Sequence, residues 1–306
     1  MSESAERRTL ATIELRPRRL GELLDVAVRL VRIVFVRVAP WVLLVELPFA
    51  AVGVLWTASL GNRGEGAAVA ASIGVMSALF IPAAVFVTAV AVAATHEAHL
   101  GRRISGSRST WMAVKRVPAL IGYSLVAMFI YSIISFAIVF AISLPLGLIT
   151  KSLPNVGSRV VRVIFVGIVS FGAGVLWFAG VLGLFSRFLV GMVSVIVERR
   201  GPFQAFSRGW DLTRKVWLRN GLLLAAATLA SYIVLFVVVL AATAIGGSNR
   251  GELVLALSAG LAFVVLGLLY LPFGAALAVA MFVDGRVRRE ALDLEQLLGT
   301  LAPVSQ

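Results

Sequence analysis

Six long apolar runs, separated by short polar segments, dominate the hydrophobic pattern of the chain. Each run reaches the roughly 20 residues that an α-helix needs to cross about 30 Å of hydrocarbon. A membrane β-barrel would instead alternate apolar and polar positions over about ten residues, and these runs do not alternate. The pattern therefore predicts an all-α, polytopic membrane helix bundle. Its six transmembrane helices cover about residues 40–60, 68–95, 119–150, 163–197, 221–246 and 253–283.

Basic, amphipathic lead-in segments precede the first, third and fifth runs. RIVFVR (32–37) and RKVWLR (214–219) share the pattern Arg-x-Val-aromatic-apolar-Arg, and RSTWMAVKR (108–116) is a looser match. The second, fourth and sixth runs end close to an acid: Glu97, Glu198 and Asp284. This plan predicts a three-fold repeat of a cytoplasmic amphipathic helix followed by a transmembrane hairpin.

Composition and charge agree with a membrane protein and predict its orientation. Hydrophobic residues make up 60% of the chain and charged residues 14%, and there is no cysteine, which excludes disulfides and thiolate chemistry. Of the 28 Lys and Arg residues, 22 lie in the terminal segments and in every second connection. This distribution is typical of cytoplasmic segments and not of a nucleic-acid-binding face. We expect a multi-pass cell-membrane protein with no nucleic-acid partner, in which tails 1–19 and 284–306 are cytoplasmic and residues 20–283 form the membrane domain.

The lead-in segments supply candidate contacts with the membrane surface. Such helices lie in the interface, and each basic residue near anionic lipid gains about 1 kcal/mol. The candidate headgroup or cytoplasmic-interface residues are Arg29, Arg32, Arg37, Arg208, Arg214, Lys215 and Arg219. One interpretation is binding of anionic lipids. The simpler one is that these helices anchor the bundle and set its orientation. Protein partners or a homo-oligomer stay open as alternatives.

Two charged residues, Glu46 and Arg187, fall inside the apolar runs. Charges inside a membrane usually face a partner or a wet cavity. If Arg37 and Glu198 mark the inner boundary, Glu46 lies about 13.5 Å and Arg187 about 16 Å of helix from it. Matched depth and opposite sign predict an intramembrane charge pair between the first and fourth spans.

The depth of Arg187 depends on where the fourth span lies, because the run from 163 to 197 is too long for one upright crossing. If the span ends at Glu198, Arg187 lies near the middle of the membrane. If the span begins at Val163, Arg187 is itself the boundary residue. Residues 188–197 would then need burial against the lead-in helices. The acids near the ends of the even runs favour Glu198 as the edge.

Catalytic, metal and cofactor motifs do not stand out. His96 and His99 are three residues apart with Glu97 between them, which is neither the zincin spacing nor a set of three or four ligands. No G-x-S-x-G, Walker or dinucleotide-binding pattern stands out. We therefore expect no metal site, no cofactor and no enzymatic activity.

Three segments resemble a known bacterial family. They are LRPRRLGELLDVAVRLVR (15–32), VIVERRGPFQAFSRGWDLTRKVWLRNGLLL (195–224) and MFVDGRVRREALDLEQL (281–297). Together they are similar to the six-span family labelled the glycerophosphoryl diester phosphodiesterase membrane domain. In the proteins that gave the family its name, a separate hydrolase domain is joined to the membrane domain, and the spans and short loops here leave no room for one. The resemblance implies a membrane scaffold or accessory domain, without phosphodiesterase activity and without catalytic residues to carry over.

Three functions fit these observations. The first is a non-enzymatic protein of the bacterial cytoplasmic membrane with a scaffold, accessory or envelope-homeostasis role and contacts with anionic lipids. The second is a transporter or lipid-handling protein with a site near Glu46 and Arg187, supported by the repeat and by prolines within the apolar runs. The third is an intramembrane enzyme that acts on lipid. The missing catalytic motifs and the basic lead-in segments favour the first.

Overall fold

The structure, a computed structural model, describes residues 17–60, 66–101, 105–152, 159–246 and 251–290. These residues form seven α-helices and no strand, which confirms the all-α prediction. The predicted tails fall largely outside the described residues. The helices are α1 (Leu20–Leu60), α2 (Gly66–His99), α3 (Gly106–Ser152), α4 (Arg159–Val197), α5 (Pro202–Thr213), α6 (Trp217–Gly246) and α7 (Gly251–Glu290).

Five of these helices are long and apolar enough to cross a membrane, as expected for a multi-pass membrane protein. In α2, the apolar stretch with described side chains is shorter, Ala83–His99. The candidate spans are Leu20–Leu55, Gly106–Ala141, Gly180–Val197, Trp217–Val234 and Phe263–Glu290.

Two of the three lead-in segments are not separate helices. The first is continuous with its apolar run in α1, 41 residues long, and the second with its run in α3, 47 residues long. Pro40 lies inside α1 without ending it. The third lead-in segment covers 202–219 and ends with RKVWLR. Its residues 202–213 form a helix of their own, α5, which begins with Pro202 in the first turn, where the missing N–H is not needed. A short turn at 214–216 separates α5 from α6.

The long helices form a ring of three hairpins, α1–α2, α3–α4 and α6–α7. Around the ring, α2 packs on α3, α4 packs on α6, and α7 packs back on α1. In the middle, α2, α4 and α7 contact one another. The other three long helices, α1, α3 and α6, therefore lie outside them, and α5 fills the space beside α4.

Among the side chains that the structure describes, most of the buried ones lie at one end of the bundle, where α1 and α3 begin, α2, α4 and α7 end, and α5 lies. In α1, for example, Leu23, Ala27 and Leu30 are fully buried, whereas Arg29 and Arg32 are exposed. We call this the charged end, and the remainder the apolar end. The charged end comprises residues 18–38, 87–101, 105–123, 181–220 and 275–290.

At the apolar end, the outer helices expose large apolar side chains. Phe129 and Phe136 on α3 and Phe236 on α6 are 68%, 72% and 67% exposed. An extended exposed apolar surface marks contact with another apolar phase. This surface is consistent with an integral membrane protein.

Candidate functional site

The carboxylate of Asp284, near the end of α7, is fully buried. We call the cluster that it forms with Arg18, Arg219 and Arg288 the Asp284 clamp. Asp284 Oδ2 accepts hydrogen bonds from Arg219 Nη2 at 2.5 Å and Arg288 Nε at 2.9 Å. Its Oδ1 accepts one from the backbone N–H of Arg18 at 2.8 Å. Arg219 Nη1 and Arg288 Nη2 also donate to the carbonyl of Arg18, at 3.0 and 2.8 Å. The clamp therefore ties the segment before α1 to α6 and α7.

A second cluster surrounds Glu198, directly after α4. Arg208 of α5 binds it with both arms of its guanidinium, Nη2 to Oε1 at 2.7 Å and Nε to Oε2 at 3.0 Å. Arg200 Nε donates to Oε2 at 2.6 Å. Arg208 also pairs with Glu290 at the end of α7. Burial alone would lower the pKa of Arg208, but the bonds to these two acids raise this pKa above its usual value, so Arg208 stays charged.

The third acid, Glu97 near the end of α2, binds the first turn of α3. Ser109 Oγ donates to Glu97 Oε2 at 2.9 Å, and Arg108 Nε lies 3.5 Å from Oε1. Each of the three acids that the sequence pattern singled out thus binds a residue that precedes one of the odd-numbered apolar runs. Glu97 and Glu198 bind the segment that follows them, and Asp284 binds the segment before α1.

Arg187 of α4 lies against two tryptophans. Its guanidinium carbon is 3.6 Å from the ring centroid of Trp210 in α5 and 5.7 Å from that of Trp217 at the start of α6. Its Nε is buried and has no hydrogen-bond partner among the described residues. A cation over an indole face is attracted by the ring quadrupole, so the tryptophans contribute part of the environment that an acid would otherwise provide.

Glycines bring α5 and α6 close enough to α4 for these contacts. A Cβ at Gly209 would overlap the carbonyl oxygen of Arg187 and lie 2.8 Å from the backbone nitrogen of Gly191. Gly183 similarly leaves room for the ring of Trp217. The helix backbones are therefore in direct contact, and only glycine fits at these positions without a shift.

The apolar stretch 188–197 after Arg187 is buried or half-buried within the protein. The Tyr123 hydroxyl of α3 donates to the carbonyl of Phe188 at 2.7 Å, and α5 covers the stretch at Gly191. This is the burial that the sequence required if Arg187 marks the membrane boundary.

Glu46 of α1 lies on a different surface, against α7. It is 2% exposed, and its Oε2 has no hydrogen-bond partner within the described part of the chain. The carboxyl group occupies the notch left by Gly267, where a Cβ would overlap both oxygens. Glu46 is thus a buried acid held at a helix–helix contact.

The predicted pair between Glu46 and Arg187 is not formed in the structure, because the two residues lie at different levels. Leu212 of α5, one turn beyond the Gly209 contact with Arg187, packs on Gly285 of α7. Glu46 packs on Gly267, 18 residues earlier in α7, which is about 27 Å along the helix axis. The estimate of matched depth assumed that Arg37 and Glu198 lie at the same level, and the packing of Glu46 and Leu212 on α7 shows that this assumption is wrong.

The seven predicted interface residues divide into two groups. Arg29, Arg32, Arg37, Arg214 and Lys215 are exposed. Arg208 and Arg219 instead point into the clusters around Glu198 and Asp284. The guanidinium groups of these two residues are therefore bound by acids of the protein itself, while their predicted position at the cytoplasmic interface stays a prediction.

The histidines do not form a metal centre, since no group of three His, Cys, Asp or Glu side chains lies together within the described residues. His99 is 8% exposed and is the last residue of α2, four residues after the end of the predicted span 68–95. Burial, and then the positive charges of Arg18 and His96, lower the pKa of His99 to about 4. His99 is therefore neutral at physiological pH.

Sequence reasoning missed the partners of these residues more often than the residues themselves. The sequence pattern marks Trp217 as the aromatic position of RKVWLR and Asp284 as an acid near the end of a run, but it does not indicate which arginine either of them contacts. The available signal was the set of glycines at 183, 191 and 209, which permits close helix contact.

In comparisons with known proteins, no family model, no curated protein and no solved structure matches the chain. The resemblance described above therefore stays a prediction.

Proposed function

We propose that the chain is a non-enzymatic, six-span protein of the bacterial cytoplasmic membrane, in which the charged end forms a packed cytoplasmic scaffold domain. The observation that carries the proposal is the pairing at this end. Its acids Glu97, Glu198 and Asp284 bind arginines of neighbouring helices. Carboxylates neutralised in this way stabilise an assembly and are not arranged as a catalytic acid and base.

Six spans follow if α2 crosses the membrane with the five candidate helices. It has 34 residues, more than the roughly 20 that a crossing requires. The surplus length of the long helices forms the cytoplasmic domain. We place the inner boundary near Arg187, because α6 becomes apolar after Asn220 and Gly221 packs on Gly183, one turn from Arg187.

Cysteine labelling tests this topology, because the chain has no native cysteine. Single cysteines at Gly64 and Ser248 should react with an impermeant maleimide in intact cells, and a cysteine at Ser105 should react only after the cells are opened. Labelling of Ser105 from outside would overturn the cytoplasmic placement of the charged end.

The ring also supports the three-fold repeat. The second helix of each hairpin lies inside, the first lies outside, and each closing acid binds a lead-in segment. We infer that the three hairpins are copies of one unit, each joined to the next by its acid.

Exposed basic residues on the first lead-in segment are proposed to contact anionic headgroups, at about 1 kcal/mol each. The test is purification with retained lipids, followed by mass spectrometry. We expect anionic lipids to be enriched over the membrane average, and a triple change of Arg29, Arg32 and Arg37 to Gln to reduce the enrichment. Asp25→Asn, on the same exposed face, is the control and should not reduce it. Membrane-average lipid in the unmodified protein would contradict the proposed lipid contact.

A second candidate function, transport or lipid handling, is favoured by Glu46. Glu46 is buried and has no ion-pair partner within the described residues, and an acid of this kind inside an apolar helix bundle is a functional candidate by default. Reconstituted vesicles test it: a proton-coupled or cation-coupled flux that Glu46→Gln abolishes would replace the scaffold proposal. Absence of flux with protons, Na⁺ and K⁺ would reject the alternative.

A further inference from the structure

Arg187 differs from the arginines of the clusters described above. Arg208, Arg219 and Arg288 each bind a carboxylate. Arg187 is half-buried, yet no acid pairs with it within the described residues, and its Nε has no hydrogen-bond partner. A partly desolvated guanidinium without a counter-charge favours an anion from outside the chain.

The neighbours of Arg187 suit an anion that arrives from a membrane. The indole of Trp210 covers one face of the guanidinium. This stacking uses the face and leaves the N–H donors of the edge, which match a phosphate in a two-pronged geometry. Trp210 and Trp217 are each 38% exposed, and tryptophan favours the boundary between headgroups and acyl chains.

We propose that Arg187, Trp210 and Trp217 form a binding site for the phosphate of an anionic phospholipid. The proposal rests on the proposed membrane boundary near Arg187, which puts the guanidinium at the level of the headgroups. The charge of Arg187 disfavours a choline headgroup, whose quaternary ammonium would lie beside a second cation. The site therefore prefers phosphatidylglycerol to phosphatidylcholine.

Native mass spectrometry of the full chain in detergent tests the site by titration with phosphatidylglycerol. We expect Arg187→Gln to weaken binding of the tightest lipid roughly tenfold to hundredfold, the range for a charge-assisted hydrogen bond. Arg289→Gln is the matched control, because Arg289 is exposed near the end of α7 and the variant loses the same charge. Equal weakening by both changes would show a general charge effect and overturn the site.

Two further titrations identify the chemical class of the ligand. Phosphatidylcholine should bind more weakly than phosphatidylglycerol, and millimolar inorganic phosphate should not displace the lipid. Displacement by inorganic phosphate would assign the site to a soluble anion and overturn the lipid as its ligand.

A second, milder variant tests the site even if Arg187→Gln fails to fold. Trp210→Phe keeps an aromatic ring but removes the indole N–H and weakens the cation–π contact. It should lower lipid affinity and reduce the tryptophan fluorescence change during the titration. An unchanged response would overturn the role of Trp210. If anionic lipid is enriched on the whole protein but Arg187→Gln binds lipid as tightly as Arg289→Gln, the site at Arg187 is wrong while the proposed function stands.

Discussion

Replacing Gly209 by alanine should push α5 away from α4. The added methyl group would lie 2.8 and 2.9 Å from the N and Cα atoms of Gly191 and would overlap the carbonyl oxygen of Arg187. Carbon atoms normally approach to 3.5–4.0 Å, so the helices must separate by about 1 Å. Because the opposing atoms are backbone, no side chain can rotate out of the way. Overpacking of this kind costs about 1–3 kcal/mol.

Within a helix, alanine is also more stable than glycine by about 0.5–1 kcal/mol. A control variant must therefore include the same gain in helix stability. Gly274→Ala in α7 adds the same methyl group where no atom lies within 4 Å. The gain in helix stability from alanine is the same in both variants and cancels when they are compared. Gly209→Ala should therefore be less stable than Gly274→Ala by about 1–3 kcal/mol.

The free energy of unfolding in mixed micelles, followed by tryptophan fluorescence, measures this difference. Trp210 should also move away from Arg187, so the emission of folded Gly209→Ala should differ from that of folded Gly274→Ala. If Gly209→Ala is as stable as Gly274→Ala, the backbone contact between α4 and α5 does not exist as described.

The charged end and the Glu46 notch provide three more tests. Burial and nearby positive charge lower the pKa of His99 from 6.5 to about 4. The contribution of His99 to the free energy of unfolding is therefore complete above pH 6.5 and falls towards pH 4, with about 2 kcal/mol lost at pH 5. Thermal unfolding of His99→Gln should lack this loss, and a pH profile identical to that of the unmodified protein would refute the prediction. Asp284→Asn should lower the free energy of chemical unfolding by about 3 kcal/mol, because it leaves buried arginines without their charge partner. The exposed control Asp25→Asn should lower it by less than about 0.5 kcal/mol, and equal losses would contradict the Asp284 clamp. Gly267→Ala should lower the free energy of unfolding by about 1–3 kcal/mol, and the second change Glu46→Ala should restore most of this loss. If the effect of the double variant equals the sum of the two single effects, the two positions do not touch.

The hydrophobic pattern could predict the helices and much about their faces. In α1, Asp25, Arg29 and Arg32 recur at spacings of four and three, and all three are exposed. Leu23 and Ala27, on the opposite side, are fully buried. These features follow from the helical period alone, so a single sequence is sufficient to find them.

Depth and partnership could not be predicted in the same way. Counting helical rise from Arg37 and Glu198 placed Glu46 and Arg187 at one level, because the count assumes that every helix ends at the membrane surface. In the structure, α4 continues past Arg187 into a packed domain, so Glu198 is a poor reference for depth. Periodicity identifies the face of a helix but carries no information about the helix that covers it.

The Asp284 clamp has a consequence for the order in which the protein assembles during synthesis. The contacts of Glu97 with Ser109 and of Glu198 with Arg208 span only 12 and 10 residues, so both can form as the chain emerges. The contact between Arg18 and Asp284 spans 266 residues. The part of the first lead-in segment that packs on α7 must therefore stay uncovered until the last hairpin is made. Long-range closure of this kind is slow, and the seam between α1 and α7 should be the last part of the ring to form and the place where a translating chain is most exposed to chaperones and proteases.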